Sequence, residues 1–260
     1  MTLFAWPRTA AFDRVVPKRK IYEHGAVGSA LKERFVQQVE QISWAYKLAP
    51  ETVNLPATKT VTEIQVFRIA LKGAELDRGV LQAIDRAIPF PLIFELIQVT
   101  RIKVAAAYKQ SSPSRKSEGD SSRWRIGNYF ETDWQPEHTI RQPLPVALDM
   151  GSLYEQLLSP LVQEGITRGK ELSSTPEARE PPAAFYSVTA TSEQADRVTL
   201  DQRIELAEAI AAQQKEIQRI KARLGREKQF NKRVAINAEL RDAKQKLERL
   251  TQQQGASKSY

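Results

Sequence analysis

The last sixty residues carry two apolar series that cannot share one straight helix. Leu206, Ile210, Ile217, Ile220 and Leu224 follow the a/d spacing of a heptad, with Gln213 interrupting it. Ile236, Leu240, Ala243, Leu247 and Leu250 form a second series. Counting heptads on from Leu224 would place a positions at Asn231, Ala238 and Gln245, yet the apolar residues fall at Leu240 and Leu247, two residues later. Two helices folding back near Gly225 to Asn231 satisfy both seams, so residues 200–254 are expected to form a C-terminal α-helical hairpin. A long bent helix that makes a homo-oligomer through a coiled coil is the alternative. Residues 255–260 are expected to be a flexible tail.

The preceding residues read as a mixed α/β domain, expected over residues 1–165. In VGSALKERFVQQVEQISWAYKL, residues 27–48, the residues Leu31, Phe35, Val39, Ile42 and Tyr46 recur every three or four positions, which predicts one long helix capped by Ser29 and stopped by Pro50. Residues 60–72, TVTEIQVFRIALK, predict a strand covered on both faces. Leu76 to Ile88 predicts a helix ending at Pro89, with Val80, Leu81, Ile84 and Ile88 as its stripe. Residues 91–98 and 101–109 predict two strands joined by a tight turn, and 125–134 a further strand. Leu153, Leu157, Leu158 and Leu161 predict a helix over 149–164. That element order points to an α+β or α/β fold: a mixed sheet with packed helices. The polar stretch QSSPSRKSEGDSSR, residues 110–123, is expected to be a loop. Residues 166–199, with Pro176, Pro181 and Pro182, are expected to be a linker, with Phe185 and Tyr186 as contacts to the domain.

Chemistry-bearing motifs are few. The chain has no cysteine and two histidines, His24 and His138. Disulfides and thiolate metal sites are therefore impossible, and a zinc site would need carboxylates. Phosphate-binding loops, nucleophile elbows and HExxH are absent. HGAVG at 24–28 reads as a turn and cap rather than an anion site. A metal-dependent nuclease would need clustered carboxylates beside a lysine. Glu63, Asp85 and Glu95 are the acids on offer, but Gln65 follows Glu63, and the Glu95 strand reads E-L-I without the lysine. No catalytic residue, cofactor or metal is expected, and the chain reads as a non-enzyme.

The formal net charge is +8, which favours acidic partners. No stretch is long and apolar enough to span a membrane; a cytoplasmic location is expected. Lys215, Arg219, Lys221, Arg223, Arg226, Lys228, Lys232 and Arg233 stand against only Glu216 and Glu227, a net +6 at the expected bend. Candidates for nucleic-acid or partner contact are Arg226, Lys228, Lys232 and Arg233 there, and Lys18, Lys20 and Lys47 in the domain. Arg19, Lys109, Trp44, Trp124 and Trp134 are further candidates for such a surface.

The segments VPKRKIYEHG, WAYKLAPETVNL, TEIQVFRIALK, IPFPLIFEL, AAYKQ and YFETDW, with REKQFNKRVAINAELR in the tail, together resemble a bacterial family designated a domain of unknown function, series number four-three-nine-one. The resemblance covers residues 1 to about 160 and the tail segment. It implies genes lying beside those for DNA methyltransferases and helicases in defence loci, and it brings no active site. The expectation is a non-catalytic accessory or scaffold subunit of a restriction-like DNA methyltransferase and helicase assembly that also touches DNA. The alternative is a metal-dependent nuclease subunit acting on foreign DNA.

Overall fold

The computed structural model describes residues 3–111, 124–171 and 200–256. The chain divides into two compact units, residues 1–164 and 165–260. The predicted loop and linker lie outside the described residues from 112 to 123 and from 172 to 199, as do Phe185, Tyr186 and residues 257–260.

The first unit is built on a mixed sheet of β1 (Ala11–Val15), β2 (Val39–Leu48), β3 (Ile64–Leu71), β4 (Leu92–Gln98), β5 (Arg101–Ser111) and β6 (Trp124–Glu131), adjacent in that order, with short β7 (Gln135–Pro136) pairing β5. Only β3 and β4 run parallel, because α4 (Arg78–Ala87) makes the crossover between them. The helices α1 (Lys18–His24), α2 (Ser29–Gln38) and the short α3 (Pro50–Val53) precede it, and α5 (Met150–Glu171) follows the sheet. Residues 166–171, expected to be linker, thus continue a helix.

One prediction fails instructively. The helix expected over 27–48 ends at Gln38, and Val39–Leu48 is strand β2. Its buried residues are Val39, Ile42, Ala45 and Leu48, a spacing of three. A regular strand buries every second residue. Register shifts between Val39 and Gln41 and between Trp44 and Tyr46 each add a residue to β2. These bulges stretch two into three and imitate one face of a helix. Ser29 opens α2, but Gly28 is the N-cap and no side chain caps it.

Strand β3 is covered on both faces, as its near-continuous apolar run predicts. Phe67, Ile69, Leu71, Phe94, Leu96, Ala105 and Ala107 form one core with Val80, Leu81 and Ile84 of α4. On the other face Tyr108 stacks on Tyr154 of α5, with centroids 5.8 Å apart. The Tyr154 hydroxyl donates to Ala107 O at 3.1 Å and accepts from Lys109 N at 3.0 Å.

Helix α1 approaches α4 through Gly25. A Cβ there would lie 2.5 Å from Ala83 O and 2.7 Å from Ile21 O. Both obstacles are backbone, so neither can swing aside. Gly25→Ala should therefore lower stability by about 1–3 kcal/mol, the usual cost of forcing extra volume into packed elements. Urea unfolding checks this; a midpoint equal to the parent's would show that α1 is free to move.

In the second unit α6 (Leu200–Arg226) and α7 (Phe230–Ala256) are joined by residues 227–229 and pack on each other. Gln213 Nε2 donates to Ala243 O at 3.2 Å, and Arg223 pairs with Glu239 at 3.0 Å. Partners that converge in sequence towards the turn identify an antiparallel hairpin. Ile204, Ala207, Ile210, Ile217 and Ile220 are buried with Ile236, Ala243 and Leu247. The seam therefore runs through Ile204 and Ala207, and Leu206 is only half-buried. These apolar residues are covered within one chain, so the hairpin needs no second copy to bury them. No described helix is long and apolar enough to cross a membrane.

Candidate functional site

The three acids weighed for metal chemistry do not converge. Glu95 lies on β4 opposite Arg68, fully buried. Its Oε2 accepts from Arg68 Nε at 2.8 Å, and its Oε1 accepts from Arg141 Nη1 at 2.6 Å and Trp6 Nε1 at 2.7 Å. Burial alone would raise this carboxyl, but the Arg141 and Arg68 guanidiniums outweigh it and hold the pKa below its ordinary value. Arg141 also donates to Phe4 O at 3.0 Å, so the cluster ties the N-terminal arm and the segment around residue 141 to the sheet.

Asp85, on α4, is buried in the other core. It accepts from the Tyr129 hydroxyl and pairs with Lys109 Nζ at 3.3 Å. Lys109 Nζ also donates to Asp85 O and Ile88 O at 2.6 Å each, and to Phe90 O at 3.1 Å. These carbonyls belong to the C-terminal end of α4 and the residues after it, where the helix leaves acceptors without intrahelical donors. Lys109, expected at the surface, is therefore an internal helix cap. Asp85 is pushed up to about 6 by burial, with Lys109 opposing. Glu63 sits apart, bonded by Gln65 Nε2 and 3.4 Å from Lys47. Each acid is matched to its own donors, and no group of three metal-ligating side chains occurs among the described residues.

The domain's candidate cations are largely occupied. Lys18 Nζ donates to Phe35 O at 3.1 Å and Val39 O at 2.5 Å, where α2 passes into β2. Its pKa is lowered by burial and by nearby Lys72. Lys47 pairs with Glu51 at 2.9 Å and with Glu63, and Lys20 lies 3.4 Å from Glu23. Arg19 pairs with Glu23. Trp44 stacks in parallel on Phe67, 6.1 Å between centroids, and Trp134 lies beneath the cations of Arg101 and Lys103. The side chain of Trp124 lies outside the described residues.

The hairpin tip differs. Arg226, Lys228, Lys232 and Arg233 are all exposed, as are Lys215 and Lys221. Among the described residues none of the six is in an ion pair; Arg219 and Arg223 take Glu216 and Glu239. Glu227, the one acid in the turn, accepts from the Gln229 N–H at 2.9 Å. The first turn of α7 contains Lys232 and Arg233 and no acid. Those cations stand at the positive pole of the helix dipole, where they oppose hairpin stability and concentrate positive potential.

The family model for "Domain of unknown function (DUF4391)" matches residues 4–247, spanning both units. The chain belongs to this family. No curated protein and no solved structure matches it. The matched residues include the Glu95 and Lys109 clusters and the basic tip, so the family's extent takes in the hairpin as well as the sheet. Sequence reasoning missed Trp6, Arg68 and Arg141 as partners of Glu95, and Tyr129 as partner of Asp85. Their separations along the chain, 89 residues for Trp6 and 44 for Tyr129, leave no local pattern that would have linked them.

Proposed function

We propose that this chain is a non-catalytic accessory subunit of a bacterial DNA-handling assembly, and that its helical hairpin contacts the phosphate backbone through its tip. A DNA methyltransferase and helicase system directed against foreign DNA is the setting that the family resemblance implies. The observation that carries the DNA contact is the set of four exposed cations at the hairpin turn, Arg226, Lys228, Lys232 and Arg233, with Lys215 and Lys221 exposed further back along α6, all free of ion pairs among the described residues. Such cations gain most from phosphate, because each phosphate they neutralise releases a condensed counterion. The buried charges of the first unit support a scaffold role: they hold an arm, a helix end and a sheet in place.

The test is the variant Arg226→Gln, Lys228→Gln, Lys232→Gln, Arg233→Gln in the full chain. Binding to duplex DNA should weaken, and the slope of log K against log salt should flatten by roughly 0.9 for each phosphate that is no longer neutralised. The melting temperature should stay nearly level, since Lys232 and Arg233 oppose the α7 dipole while Arg226 favours that of α6. A variant that binds DNA as the parent does at every salt concentration would reduce the tip to a solvated surface. Affinity capture from the native host, with identification of co-purifying proteins, tests the assembly.

A further inference from the structure

The two helices of the hairpin do not close fully on each other at the turn. Between the last turn of α6 and the first turns of α7 lies a cleft of about 340 Å³, the size of a small-molecule pocket rather than of an ion site. Ile236, 6% exposed, and Ala235 supply its apolar floor. Ala235 is exposed and short, which leaves the space above it open. At the end away from the turn, Arg223 and Glu239 line the cleft and pair with each other at 3.0 Å. Towards the turn, Arg226 reaches it from α6 and Lys232 from α7. Both are exposed and in no ion pair among the described residues.

Charge and shape together narrow the ligand. The lining holds three cations, Arg223, Arg226 and Lys232, and two acids, Glu227 and Glu239; three minus two is +1. Glu227 counts as ionised, because the Gln229 N–H, and after it Lys232, holds its pKa below the ordinary value. A phosphodiester carries one negative charge and balances this set, whereas a terminal phosphate carries nearly two. The planar guanidinium of Arg226 suits two phosphate oxygens at once. The apolar floor is surplus to a phosphate contact alone. In a duplex the base faces are stacked on one another, so only base edges and backbone reach a protein. An apolar floor beside phosphate-binding cations therefore serves a nucleotide whose base is out of the stack, since such bases seat on apolar and aromatic side chains.

We infer that the cleft at the hairpin tip holds one unpaired nucleotide from within a DNA strand, its phosphodiester on Arg226 and Lys232 and its base or sugar against Ala235 and Ile236. This deepens the DNA contact proposed above and rests on it, naming single-stranded DNA as the substrate class.

The experiment titrates the full chain with an oligo-dT strand and with the dT·dA duplex of equal length at one salt concentration. The strand should bind about fivefold more tightly, the low end of the range for seating one base. Ala235→Met fills the cleft without changing its charge, and Met is a good helix former. It should bring the strand's affinity down to that of the duplex, while duplex affinity and melting temperature stay unchanged. A terminal phosphate on the strand should add nothing. The inference is overturned by a duplex that binds as tightly as the strand or more so, by strand affinity indifferent to Ala235→Met, by an equal loss on strand and duplex, or by a preference for the terminal phosphate. The two readings fail separately. If the quadruple tip variant binds both DNAs as the parent does, the DNA contact itself falls. If that variant weakens both while Ala235→Met changes neither, only the cleft assignment falls.

Discussion

Lys109→Met is expected to destabilise the first unit by about 3–5 kcal/mol, the range for removing one partner of a buried ion pair. The substitution keeps the stem's volume and removes the ammonium, which is donor to Asp85 O, Ile88 O and Phe90 O and counter-ion to the Asp85 carboxylate. Adding Asp85→Asn should restore part of the loss by removing the uncompensated charge. The three carbonyls would still lack their donor, at about 1–3 kcal/mol for each left buried and unsatisfied, so the double variant should remain below the parent. The variant should also acquire its own pH dependence. Asp85 already stands at about 6, and losing Lys109 removes a force that lowers it. A raised carboxyl stabilises the fold when protonated, and that contribution disappears as pH rises through its folded pKa. Lys109→Met should therefore be relatively more stable at pH 5 than at pH 8. Urea unfolding at both values measures this; equal losses at the two would show that Asp85 is not buried beside Lys109.

Glu95→Gln should cost a similar amount, about 3–5 kcal/mol, through a different element. An amide presents one oxygen where the carboxylate serves Arg68, Arg141 and Trp6, and its NH2 group faces donors. The N-terminal arm should loosen first, seen as faster hydrogen exchange at Ala5 and Gln142, whose N–H groups bond across the arm. Acid sensitivity supplies a second readout. The Glu95 pKa is depressed in the fold from an ordinary 4.5, so its stabilisation is complete above that value and is lost as pH falls towards the folded pKa. The parent should lose stability on acidification below about pH 4.5, and Glu95→Gln should show a shallower fall. Unchanged arm exchange and an unchanged acid slope would together mean that the cluster does not anchor the arm.

Legibility in this chain follows the range of the interaction. Helix α4 is readable because Val80, Leu81 and Ile84 share a stripe and Pro89 stops it; its cap, Asp77 accepting from Gly79 N at 2.8 Å, emerges from the structure. The hairpin is readable because a phase shift between two apolar series is a fact about neighbours in sequence. The basic tip is readable as charge density for the same reason, and as free charge only once Arg219 and Arg223 are seen paired and the other six are not. Lys109 and Lys18 are chemically no different from Lys228 along the chain. Folding buries the first against the end of α4 and sets the second on backbone carbonyls.

The helix α4, the strands β3, β4 and β5 and the return of the last helix follow from apolar spacing and breakers, local quantities that any stretch of chain carries with it. The state of each charge does not. Whether Glu95 is a catalytic acid or a clamp depends on Trp6 and Arg141, brought from 89 and 46 residues away, because the Coulomb energy of a buried carboxylate is set by what lies within a few ångströms in space. β2 shows the same boundary in the backbone. Its three-residue spacing is written in the sequence, but pairing with β3 decides that two bulges, and not a helix, produce it.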